Sequence, residues 1–575
     1  MSASVTPSQG GQLNAAQRET ALSELRSRTL DVLVIGGGAV GAGAALDAAS
    51  RGLDVGIIEA QDWASGTSSR SSKLVHGGIR YLEQLDFKLV REALVERGLL
   101  LTEIAPHLVR AVPFLYPVKI PVVERAYVGA GMLLYDLLSY TGWRHPGIGF
   151  HRHFTRKQLR RAMPALSQHA TRGGLRYFDG QVDDARLVAT VVRTAVSLGA
   201  RAASRVSAVA ITNGGSEPHT VTARDDESGR EFEIRARAIV NATGVWTEES
   251  QGMLGGPAAL GVTMSKGVHI VVARESFPSE LGMIIRAGKS VLYVIPWGEC
   301  WIIGTTDTPW NFDKTNPAAT GKDIDYILAN VNRVLEVPLT REDVRSVYAG
   351  LRPLVSGRAG STVRLSREHA VETPTEGIAI IAGGKLTTYR VMGRDAVDAA
   401  IKGRVNAGPS QTKHLPLLGA HGLAAARTSA LSLVRSYGLA DVVAARLLGR
   451  YGDRVAEVLR PLGEDPSLAR EIANGGGAIL AEALYAVTHE GAMHLRDVLE
   501  RRLRISIESS DFGLAAAPEV AALMADCLGW PATVATEELT GYGAFIQREL
   551  AAMEFRDDAS ANALIRTTSV ELSDD

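Results

Sequence analysis

The run Asp31-Val32-Leu33-Val34-Ile35-Gly36-Gly37-Gly38-Ala39-Val40-Gly41 decides the reading of the fold. A short β-branched strand passes directly into G-x-G-x-x-G. Ala42 to Ser50 continues as a small-residue helix, Arg51-Gly52 ends it, and Leu53 to Ile58 reads as a second strand closing on Glu59. That is the spacing of a βαβ unit. Gly36 permits the tight turn, Gly38 lets the backbone approach a pyrophosphate, and Gly41 lets helix and strand pack closely. The helix N-terminus then turns its positive dipole end toward phosphates. Glu59 is placed to accept hydrogen bonds from the adenosine ribose. The pattern predicts dinucleotide binding, without separating NAD from FAD.

The stretch after Glu59 favours the flavin. Ser65 to Leu82 is rich in hydroxyls and glycine with embedded cations, and its Thr67, Ser68, Ser69, Lys73, Leu74, His76, Gly77 and Gly78 are candidates to hold a diphosphate and a flavin edge. Thr243 and Gly244 follow the strand Ala236 to Val240, and Gly384, Lys385, Leu386 and Thr387 follow another glycine-ended run. With no second nucleotide fold for NAD(P), the expected cofactor is FAD, bound non-covalently.

The rest of the composition narrows the function. At 575 residues the chain has room for about three to four domains. Hydrophobic residues at 46% and charged residues at 22% describe an ordinary globular protein. Lys+Arg 62 against Asp+Glu 63 leaves no electrostatic footprint for nucleic acid. Cys300 and Cys527 can build neither a zinc cluster nor a disulfide framework, as suits a reducing cytosol. His145, His151 and His153 cluster with no carboxylate or cysteine at ligand spacing, so no metal is assigned.

Further stretches carry a more specific likeness: His76-Gly77-Gly78, Arg80-Tyr81-Leu82, Val182-Asp183-Asp184-Ala185-Arg186-Leu187, Lys266-Gly267, Ile295-Pro296-Trp297, Gly304-Thr305-Thr306-Asp307, Arg352-Pro353-Leu354 and Gly384 to Arg390. In this order, with Gly36 to Gly41 and Thr67 to Leu74, the chain resembles the FAD-dependent sn-glycerol-3-phosphate dehydrogenases of the respiratory, aerobic type. His489-Glu490 and Asp497 to Arg502 resemble that family's helical C-terminal cap. The sequence departs from the pattern in a longer N-terminal tail, in Arg70 where a small residue is usual, and from about 403 to 475.

The resemblance implies hydride transfer from C2 of sn-glycerol 3-phosphate to flavin, giving dihydroxyacetone phosphate. Such a reaction needs a base, cations for a phosphate dianion, and donors for a developing alkoxide. His76 is the expected base; a catalytic set of His76, Arg352 and Lys385 follows. Arg80, Arg352 and Arg367 suit phosphate because guanidinium forks match its oxygens. Tyr81, His269 and Lys385 complete the expected substrate contacts. An amine or amino-acid oxidase of the same fold superfamily, and a non-catalytic flavin-bearing protein, are the alternative readings.

The expected fold class is α/β: an FAD-binding Rossmann-like domain of the glutathione-reductase or D-amino-acid-oxidase type, an interleaved α+β substrate domain and an all-α cap. The FAD-binding domain takes 28–107, 180–250 and 350–402, the substrate domain 108–179 and 251–349, and the cap 403–555. Residues 1–27 read as a flexible tail ending in a short helix, and 556–575 as disordered. No apolar run reaches the roughly 18 residues of a membrane span. Pro121 to Tyr140, flanked by Lys119, Arg125 and Arg144, reads equally as an interfacial helix or a core helix. The expected setting is the inner face of the cell membrane, with a membrane quinone as electron acceptor; a homodimer is left open.

Overall fold

A computed structural model describes residues 10–120, 122–140, 147–255, 258–287, 290–356 and 369–570. The strand Thr29–Ile35 is buried at Leu30 and throughout Val32 to Ile35. A strand covered on both faces belongs inside a parallel sheet, and it pairs in parallel with both Val55–Glu59 and Arg230–Asn241. The sheet runs His369–Thr375, Ile378–Gly383, Arg230–Asn241, Thr29–Ile35, Val55–Glu59, Arg201–Ser204, with the hairpin Val206–Thr212 and His219–Asp225 attached to Arg230–Asn241. Helices Ala39–Ser50, Asp184–Ser197 and Tyr389–Ile401 share one apolar core against it.

A second, mostly antiparallel sheet is built around Gly261–Ala273, which pairs with Val344–Ser356 along almost its whole length. Its far edge is the two-residue strand Leu74–Val75, bonded to Gly174–Gln181. The chain segment that leaves the first sheet's cofactor turn therefore becomes the edge of the second sheet, which places His76 at the junction. Helices between Leu423 and Ala552 form a separate apolar core, the cap.

Three domain expectations need correction. Residues 350–356 belong to the substrate sheet, because Arg352 and its neighbours continue the register with Ser265; the first sheet resumes only at His369. The short helix expected before Thr29 is present as Ala15–Ser27, but it is docked rather than flexible: Leu22 and Leu25 are buried, and Arg18 pairs with Asp225. Leu13 is bonded through its backbone to His489 and Gly491 of the cap. Residues 1–9 lie outside the described part. Residues 558–570 are also ordered, since Asp558–Val570 is a helix that buries Ala561 and Ile565 against Ala318 and Ala552. Its Asp558 joins Asp323 around the buried ammonium of Lys266.

The helix Val123–Ser139 has one face in the core and one exposed apolar face. Val128, Met132 and Tyr135 are buried, while Val123 (71% exposed), Tyr127 (63%), Leu133 (48%) and Leu137 (56%) recur at helical spacing on the outside. Pro121 and Arg144 lie outside the described residues.

The docked C-terminal helix can be tested by equilibrium urea unfolding. Ile565→Ala should cost about 2 to 4 kcal/mol, and Asp558→Asn about 1.5 to 3 kcal/mol through the lost charge-assisted bond to Lys266. Unchanged midpoints in both would show that this helix contributes nothing to stability.

Candidate active site

Between the first sheet and the loop from Ser65 lies a cavity of about 410 Å³. Its floor is the glycine turn and helix start, Gly36, Gly38 and Ala39. Gly36 and Gly41 are sterically required. A Cβ on Gly41 would overlap the Gly36 carbonyl oxygen, and one on Gly36, which sits at φ +109°, would come within 2.7 Å of the Ala242 oxygen. A Cβ on Gly38 would project toward Ser68 Oγ, 3.0 Å away. The helix Ala39–Ser50 opens on this cavity with Gly38 as N-cap, so the cap residue itself brings no side chain to the helix start.

The walls come from four separate segments. Glu59 is held by the turn it faces: Oε2 accepts from the Gly37 amide (2.6 Å) and Oε1 from the Gln61 amide (2.8 Å). Burial pushes its carboxyl pKa up. Ser68 Oγ accepts from the Ala39 amide (3.0 Å), tying the hydroxyl loop to the helix start. Thr67, Ser68, Thr243, Gly244, Gly384, Lys385 and Leu386 line the cavity as the sequence suggested. Ser207, Ala208, Trp246, Glu249 and Met253 line it too and were not singled out. Trp246 follows Thr243-Gly244 and was legible; Ser207 and Ala208 come from an antiparallel hairpin that carries no motif.

Several expected cofactor residues stand behind this lining. Gly41, Ser69, Leu74, His76, Gly77, Gly78 and Thr387 are not on the cavity lining. Lys73 is a correction: its fully buried ammonium is spent on Asp184 Oδ1 and the Ser69 carbonyl, both at 3.1 Å, and is not presented to the cavity. Arg70, the departure noted in the sequence, reaches the Thr315 carbonyl (3.1 Å).

The substrate-side candidates form two groups. In the first, the His76 amide donates to Thr387 Oγ1 (3.0 Å), which returns a bond to the His76 carbonyl (3.2 Å). The next amide, Gly77, donates to Tyr135 Oη (2.9 Å). Lys385 Nζ stands 4.0 Å over the Tyr81 ring. In the second, Arg352 donates to Thr305 Oγ1 (3.0 Å) and the Thr306 carbonyl (3.2 Å). His269 shares a 2.9 Å bond with Ser72 and stacks on Tyr348 at 4.7 Å. Burial, then Arg352 and Lys73, hold its pKa well below the usual imidazole value, so His269 is neutral. The two groups meet through the segment Ser72–His76, and only Lys385 reaches the cavity lining. Arg367 and the side chain of Arg80 lie outside the described residues. His151, expected without a carboxylate partner, has one in Asp136 at 2.7 Å.

A glycine turn against a capless helix start, an acid closing the second strand, and a long cavity running to Gly384-Lys385 define a dinucleotide-binding flavoprotein of the FAD-dependent oxidoreductase class. The FAD-dependent oxidoreductase family model matches residues 31–390, and the C-terminal domain of alpha-glycerophosphate oxidase matches 410–535. The chain is 49% identical over 555 residues to glycerol-3-phosphate dehydrogenase 2 of Mycobacterium tuberculosis H37Rv, covering 96% of this chain and 94% of that one. It is 35% identical to the human mitochondrial glycerol-3-phosphate dehydrogenase over 93% and 75%. A Bacillus halodurans glycerol-3-phosphate dehydrogenase solved with FAD superposes with TM-score 0.75 at 29% identity, over 94% of this chain and 98% of that one. The chain belongs to the FAD-dependent glycerol-3-phosphate dehydrogenase family.

The cavity fits that cofactor in its donor set. The turn at Gly36 to Ala39 would hold the diphosphate, Glu59 the ribose, and Thr243-Gly244 with Gly384 to Leu386 the far end. Gly41→Val should therefore purify with most of its visible flavin absorbance per mole of protein lost. Gly98→Ala, whose added Cβ meets nothing within 4 Å, should retain it. Full flavin content in Gly41→Val would place the cofactor elsewhere.

Proposed function

We propose that the chain oxidises sn-glycerol 3-phosphate at C2 to dihydroxyacetone phosphate and delivers the electrons to a membrane quinone. The observation that supports this most is Lys385 on the cavity lining, with Thr387 two residues on bonded to the His76 backbone, in a chain whose relatives carry the glycerol-3-phosphate dehydrogenase name. Bound FAD supplies the hydride acceptor. The residues supply the rest.

His76 takes the proton of the C2 hydroxyl. Its backbone is clamped on both sides by Thr387, so the imidazole is carried at a fixed place on the loop. Arg352 and Lys385 give the cations that a phosphate dianion and a developing alkoxide require. Arg352 is braced mainly by the uncharged Thr305 and Thr306, with Asp307 at 3.4 Å, so its positive charge is only partly offset. Neutral His269 serves as a hydrogen-bonding wall through Ser72 and adds no charge to the site. Arg80 and Arg367 complete the proposed phosphate contacts.

With two cysteines, the chain cannot ligate an iron–sulfur cluster, which supports direct transfer from flavin to an external acceptor. Among the described residues no helix is long and apolar enough to cross a membrane. The outward row Val123, Tyr127, Leu133 and Leu137 supports peripheral attachment, one apolar face resting in the lipid boundary where a quinone is found.

Three measurements test this reading. His76→Gln should slow anaerobic flavin reduction by glycerol 3-phosphate about 100- to 10000-fold with flavin content kept; fast reduction in that variant would remove His76 as the base. Arg352→Ala should raise the apparent KM for glycerol 3-phosphate roughly 10- to 100-fold, and that for glycerol far less. Equal effects on both would mean that Arg352 does not hold phosphate, and turnover of an amino acid instead of either would restore the amine-oxidase reading. Leu133→Asp with Leu137→Asp should move the enzyme from the membrane to the soluble fraction, since burying each leucine contributes about 1.5 to 3 kcal/mol. Dye-linked activity should survive while quinone reduction falls. A double variant that sediments like wild type would place the docking surface elsewhere.

A further inference from the structure

The cofactor loop is gripped from behind by a residue of the cap. Arg504 is 2% exposed and adopts a left-handed backbone at φ +68°, a conformation costly for a side chain this large. Its guanidinium donates to Asp183 Oδ1 (2.9 Å), to the Ser69 carbonyl (3.1 Å) and to the Glu500 carbonyl (3.1 Å), and pairs with Asp184. Asp184 in turn accepts from the Ser71 amide (2.9 Å) and the Ser71 hydroxyl (2.7 Å), while Lys73 braces it from the other side.

Two cations, Arg504 and Lys73, hold both ends of the turn Ser69–Ser71, each directly at the Ser69 carbonyl and through Asp184 at Ser71. The turn matters to both halves of the site. Ser71 lines the cofactor cavity, and the adjacent Ser72 carries the bond to His269 on the substrate sheet. Lys73 alone leaves Asp183 and the cap outside the arrangement, so the pair Arg504–Asp184 is what ties loop geometry to cap docking. A buried pair of this kind is weak as a source of stability but strong as a constraint on position.

We infer that Arg504 is a positioning residue for the flavin loop: the cap, remote from the reacting atoms, sets the shape of the cofactor and substrate junction through the Arg504–Asp184–Ser71 contact. This rests on the reading that the cavity holds FAD.

The test measures FAD affinity of the flavin-stripped full chain by fluorescence, together with the visible spectrum of the reconstituted enzyme. Arg504→Met should weaken FAD binding about 10- to 100-fold, the range of one lost charge-assisted contact, and shift the bound flavin spectrum toward that of free FAD. Arg504→Lys keeps the charge without the fork, so it should fold and fall between wild type and Arg504→Met. Arg446→Met breaks a different buried cap pair, Arg446–Glu482 at 2.9 Å, and should lower thermal stability while leaving FAD affinity within about twofold of wild type. Wild-type FAD affinity in both Arg504 variants overturns the inference alone. Equal loss in Arg446→Met overturns it as general cap destabilisation, and a wild-type chain without FAD affinity overturns the cofactor reading together with it.

Discussion

Everything at the cofactor end depends on the approach of Gly41 to the carbonyl of Gly36, where no Cβ fits. That contact sets the helix Ala39–Ser50 against its strand and aims its N-terminus into the cavity. The same helix accepts a second close neighbour further along. A Cβ on Gly43 would lie 2.9 Å from the Tyr389 oxygen, and one on Gly393 would lie 2.5 Å from the Gly43 carbonyl carbon. Two helices meet at glycines on both sides, so their backbones nearly touch. This is why the turn Gly384–Thr387, which leads into the second helix, arrives at the cavity and brings Lys385 with it.

The charge balance of the chain is close to zero, yet many of its charges are buried. Arg502 pairs with Asp62, Arg186 with Glu490, Arg390 with Glu96, and Lys266 with Asp323, all with little solvent contact, and Lys266 also with the partly exposed Asp558. Removing charges from water is costly unless each finds a partner of good geometry. Such pairs define where domains sit more than how tightly they are held. Asp62 follows the second strand of the cofactor unit and Arg501 and Arg502 belong to the cap, so the cap is registered on the cofactor domain by the same device that positions Ser69 to Ser71.

The helix Val123–Ser139 shows a different use of apolar residues. Its inner face carries Tyr135, whose hydroxyl donates to Asp179 (2.7 Å) and accepts from Gly77, so the helix supports the His76 loop directly. Its outer face is apolar as well. A helix apolar all round is usually buried on all sides; here one side braces the site and the other is open. The proposed lipid contact and the proposed base are thus linked through one rigid element.

The nucleotide fold and most of its glycines were legible in the sequence, because a strand, a tight turn and a helix start are local backbone events with fixed spacing. Thr67, Ser68, Thr243 and Gly384 were found for the same reason. The assignments that failed concern residues whose partners are distant in sequence. Lys73 looked like a cofactor cation until Asp184 neutralised it; the helix Ala15–Ser27 was docked by Asp225, Leu13 by the cap backbone, and the helix Asp558–Val570 by Lys266. Strand Val344–Ser356 joined the second sheet through its register with Gly261–Ala273. His269 became a neutral wall only when burial, Arg352 and Lys73 surrounded it. Local sterics are written in consecutive residues; the state of a buried charge is decided by what the folded chain places beside it, and only the tertiary structure does that.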